Sequence, residues 1–101
     1  MVIRIGNDAY GEYKYRVFVG TASIWLQEFH VFAYDTTEAL DLIANYCEKN
    51  GLDGLYATHD ELAALRKPGQ SISEYADDHN LICCGNNRIY LQIAGIERIE
   101  L

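Results

Sequence analysis

Two short runs hold the side chains most able to do chemistry. His59-Asp60-Glu61 and Asp77-Asp78-His79-Asn80 each set an imidazole beside carboxylates, a pairing that serves general acid-base catalysis or metal ligation. Neither run has the two-histidine spacing of a helical zinc site, nor the alternating oxygens and glycine of a calcium loop. The plainer reading puts His59 and Asp60 at the start of a helix and His79 at the end of one, where capping and the helix dipole account for them.

The thiols are Cys47, Cys83 and Cys84, an odd number without the spacing of a disulfide framework. Cys83 and Cys84 are adjacent, so on a strand they point to opposite faces and cannot both hold one ion with His79. A cysteine nucleophile would need His30 or His59 as its base, and nothing in the sequence marks any thiol as activated. Gly51 and Gly54 flank Leu52-Asp53 with no lysine following and an aspartate where an anion would sit, which disfavours a phosphate cradle. We therefore expect no catalytic residues, no metal and no cofactor, and a binding protein ahead of an enzyme.

Charge is the more informative signal. The chain has a net charge of −7, and residues 35 to 80 carry all of it, with ten of the fifteen acids and three of the eight bases. The flanks together are neutral. Glu38, Asp41, Asn45 and Glu48 recur at helical spacing opposite an apolar face, with neighbours on the order of 5 to 6 Å apart, comparable with phosphates along a nucleic-acid strand. Together with Asp53, Asp60, Glu61, Asp77 and Asp78, and near Glu74, they form the expected partner-binding surface. Such a balance opposes direct binding of nucleic acid or of anionic membranes and suits a basic protein partner. If that partner normally holds nucleic acid, the outcome is inhibition by occupancy. Small phage inhibitors such as anti-CRISPR proteins use that physics, an analogy of size and charge only.

The competing explanation is a solvated polar face that keeps the domain soluble. A second class is a small-ligand module or minor enzyme combining His59, Asp60, His79 or Asp78. A third is a homo-oligomer, a homodimer for instance, in which a strand edge near Ile96 to Leu101 pairs with its two-fold mate. Eight tyrosines, spread over every segment, add amphipathic area suited to contact surfaces.

The elements that must position these groups read as one α+β domain over residues 1–101, a mostly antiparallel sheet with a central helical segment packed on one face. Strands are expected at about 2–5, 12–20 and 23–34, the first pairing with the second and the third an inner strand. Helices are expected at about 36–49, 59–66 and 72–79. Asp35 with Glu38, Thr58 with Glu61 and Ser71 with Glu74 supply their caps, and Asn50-Gly51 and Pro68-Gly69 their stops. Strands return at about 81–84 and 88–93 around a Gly85-Asn86-Asn87 turn, with a last edge strand at 96–101 after a bulge at Ala94-Gly95. No secretory signal and no apolar run of membrane-spanning length is visible, so a cytoplasmic location is the expectation.

Overall fold

The computed structural model describes residues 2–6, 13–20, 26–52, 55–84 and 89–99. The expected turn residues 7–8, 21–23 and 85–87, Trp25 and Asp53 lie outside them, as do residues 100 and 101. In chain order the elements are β1 (Val2–Ile5), β2 (Tyr13–Val19), β3 (Gln27–Ala33), α1 (Thr36–Lys49), β4 (Tyr56–Thr58), α2 (His59–Leu65), α3 (Ile72–Asp78), β5 (Leu81–Cys84) and β6 (Ile89–Ile99). The α+β class and the mostly antiparallel sheet are as expected. The strands lie in the order β1-β3-β2-β6-β4, with β5 also paired to β6.

Alternation sets the main core. Tyr15, Val17 and Val19 on β2 face the same way as Phe29, Val31 and Ala33 on β3, and all six are buried. Ala39, Ile43, Ala44 and Cys47 on α1 close over them, as does Leu55, and each large side chain so buried contributes roughly 1.5–3 kcal/mol.

Strand β3 is the inner strand its apolar pattern implies, lying between β1 and β2. Strand β1, however, does not pair with β2. It runs parallel to β3, with Ile3 beside Phe29 and Ile5 beside Val31, so that both isoleucines join the buried face. The two edges of β2 are taken by β3 and β6, which leaves β1 only the far side of β3.

Strand β6 is one strand where two were expected, and its irregularity lies where the bulge was placed. Phe18 pairs with Gly95 while Val19 pairs with Ile93, leaving Ala94 as the extra residue. One inserted residue reverses the alternation. Leu91 and Ile93 face α1 before it, and Ile96 shares the face of Val17 after it. Beyond Gln92 the strand found beside β6 among the described residues is β2.

The helices divide between two faces, which refines the single helical layer of the sequence reading. Cys84, Ile89 and Leu91 point toward α1, whereas Tyr90 and Leu81 point the other way. There they meet Leu62 of α2 and Ala76 of α3 in a second, smaller cluster. No described helix is long and apolar enough to cross a membrane.

The caps hold these helices in place. The Glu38 N–H donates to Asp35 Oδ1 at 2.8 Å, and α2 and α3 each begin with a reciprocal capping box, Thr58 with Glu61 and Ser71 with Glu74. At the far ends Gly51 (φ 66°) takes the left-handed conformation, and after α3 Asn80 (φ 56°) does so, the non-glycine side chain best able to tolerate it. Replacing Thr58 with alanine is expected to cost about 1 kcal/mol, lowering the melting temperature by roughly 4–8 °C, whereas Glu61→Gln keeps the carbonyl acceptor and loses less. Thermal denaturation of the two variants checks this.

Candidate functional site

Where α2 and α3 cross the face of the β5–β6 pair they leave a cleft of about 360 Å³, lined by His59, Ser73, Ala76, Asp77, Leu81, Cys83 and Tyr90. Its back is apolar. Ala76 is buried and Tyr90 is 7% exposed. Its polar groups arrive from four elements. His59 sits there because the Thr58 cap starts α2 at that residue. Ser73 and Asp77, four residues apart on α3, share one helix face. Cys83 and Tyr90 are direct cross-strand partners, so their side chains lie side by side on the α2–α3 face. The Tyr90 hydroxyl is hydrogen-bonded with the Cys83 side chain, and burial together with that bond holds the phenol above its usual range.

A second cleft, of about 550 Å³, opens between the end of β2 and the start of β5. Asp77 and Leu81 border both, and Asn80 and Gln92 contribute amides to the second. Among the described residues no group of three or more His, Cys, Asp or Glu side chains is placed to hold a metal ion.

No protein-family model matches the chain, and no curated protein or solved structure matches it. What the site can do must therefore be read from its residues.

Only part of the expected acidic surface is free for a partner. Glu38 is half-buried, and its Oε1 accepts from the Tyr34 N–H at 3.2 Å. Asp41 is half-buried as well, and its negative charge helps to hold the buried Cys84 thiol protonated. Glu61 is engaged by Thr58, and Asp78 accepts from Gln70 Nε2 at 3.1 Å, tying the α2–α3 connection to the end of α3. Asn45, Glu48, Asp60 and Asp77 are exposed. Asp53 lies outside the described residues.

Of the residues weighed for a ligand site, His59 reaches the cleft. His79 does not. It stacks on Tyr75 at 4.0 Å between ring centroids, and its Nδ1 lies 2.9 Å from the Tyr75 carbonyl, as a helix C-cap. Cys83 was weighed from the sequence only as a metal ligand or nucleophile, and Ser73 and Tyr90 were not placed at a site, because the β5–β6 register is what sets Cys83 and Tyr90 side by side on the face that meets α3.

On the face of β2 and β3 opposite α1 the sheet gathers its own charges. Arg16 pairs with Glu97 at 3.0 Å, and Glu28 lies between Arg16 and His30. Lys14 lies over the Phe32 ring.

Proposed function

We propose that the chain is a protein-binding module whose acidic helical surface engages a basic partner. The observation that carries this reading is the segregation of charge. On the sheet Arg16 lies between Glu28 and Glu97 and offsets part of their charge, while Glu48 on α1 and, on the other face, Asp60 and Asp77 stand exposed and enter no ion pair among the described residues. An unneutralised field of this sign accelerates encounter with a positive surface, and exposed aromatic area such as Tyr34 lengthens the encounter. A partner that uses the same positive surface to hold nucleic acid would be inhibited by occupancy.

The test is a pull-down from nuclease-treated lysate with the wild-type chain and with Glu48→Lys/Asp60→Lys, washed at low and moderate salt. A partner retained by the wild type, weakened by salt and lost by at least about tenfold on charge reversal sustains the reading. Equal retention by the reversed variant overturns it, and so does recovery of nothing but the chain itself.

A further inference from the structure

We propose that the cleft between α2, α3 and β5 is a binding site for a small organic cation, an ammonium, amidinium or guanidinium group carried on an apolar body. The lining is specific about charge. Among the described residues that line the cleft, the one carboxylate is that of Asp77, and there is no lysine or arginine. An anion would meet that carboxylate with no lysine or arginine beside it among the described residues, whereas a cation meets an acceptor on the wall of an open cleft. The rest of the lining suits the remainder of such a ligand. Leu81 and the buried Tyr90 ring give a small apolar wall, and His59, Ser73 and Cys83 make most of the remaining lining polar.

The volume of about 360 Å³ is within the range of small-molecule sites. Because Asp77 also borders the neighbouring cleft of about 550 Å³, a longer cation held at that carboxylate can extend past Leu81 toward Asn80 and Gln92. The site shares Asp77 with the acidic surface of the partner reading, but Glu48 and Asp60, the charges reversed in the partner test, do not line it, so the two tests can fail separately.

Benzamidine and benzoate, which share a ring and differ in the sign of their charge, are the probes, titrated into isotope-labelled protein and followed by backbone amide NMR shifts. Benzamidine is expected to shift the amides of Ser73, Asp77, Cys83 and Tyr90 with a Kd on the order of 1 mM, and benzoate to leave them in place. Asp77→Asn, an exposed and near-isosteric change, should weaken benzamidine by about tenfold or more with the remaining spectrum unchanged. Equal shifts with benzoate, no shift with benzamidine, or undiminished binding by Asp77→Asn each overturns the proposal. Butylguanidinium and a capped Gly-Arg-Gly peptide then present one guanidinium free and on a backbone. Tighter binding of the first assigns the site to a free small cation, and of the second to an arginine of a protein.

Discussion

Replacing Ile43 with aspartate is expected to unfold the domain. Ile43 is fully buried, in the middle of α1, against the layer formed by Val17, Phe29 and Leu91. An aspartate there loses the apolar contacts of the isoleucine and sets an unpaired carboxylate in the core, a combined cost of roughly 4–5 kcal/mol or more. A domain of this size has about 5–15 kcal/mol in total, so little or nothing remains. Leu40, one turn earlier, is only half-buried, and aspartate there can turn its carboxylate toward water. Leu40→Asp should therefore stay folded with a loss of about 1–3 kcal/mol, and Ile43→Val should lose about 0.5–1.5 kcal/mol. Far-UV circular dichroism and urea titration of the three variants give the comparison. A folded Ile43→Asp with a wild-type midpoint would mean that α1 presents a different face to the sheet.

That helix was legible because its signals are local. Asp35, Glu38 and the Asn50-Gly51 stop fix both ends, and the apolar residues between them recur at helical intervals. The capping boxes of α2 and α3 were legible for the same reason. Pairing was harder to read. Three residues of β4 are too few to display an alternation, and Thr58 ends that strand and caps the next helix at once. The partner of β1 depends on which strand edges are free, and that is a property of the whole sheet.

Two members of the acidic stripe are half-buried for a reason visible in α1 itself. Leu40, Leu42 and Tyr46 pack beside Ala39, Ile43, Ala44 and Cys47, so the covered arc is wider than the four residues of a minimal apolar face. It takes in the flanks where Glu38 and Asp41 stand and leaves Asn45 and Glu48 outside. The cleft escaped through register. A three-residue turn at Gly85-Asn86-Asn87 sets Cys83 opposite Ile89, whereas the observed ladder sets Cys84 opposite Ile89 and Cys83 opposite Tyr90. That shift by one residue brings Tyr90 beside Cys83, on the face that meets α2 and α3.

Alkaline pH should unfold the protein through two of its thiols. Burial pushes the Cys47 thiol from 9.0 up to about 11. For Cys84 burial again acts first, the charge of Asp41 adds to it, and the thiol rises from 9.0 to about 12. Between pH 9 and these values the unfolded chain releases protons that the folded chain keeps, so the unfolded state gains free energy relative to the folded one. The stabilisation from the protonated thiols is complete below pH 9 and is lost as the pH climbs, by about 1.4 kcal/mol per pH unit for each thiol. By pH 11 the pair accounts for a loss on the order of 5 kcal/mol, comparable with the whole stability of a small domain. Urea titrations under reducing conditions at pH 8, 9, 10 and 11 should show this slope in the wild type and a much shallower one in Cys47→Ala/Cys84→Ala. Each protein is referred to its own value at pH 8, so the packing lost with the sulfurs cancels. Asp41→Asn removes one of the charges that hold Cys84 protonated, and its limb should end at lower pH than that of the wild type. An unchanged slope in the double variant would place the alkaline loss elsewhere, with the Tyr90 phenol, also raised by its burial and by Cys83, the next group to replace.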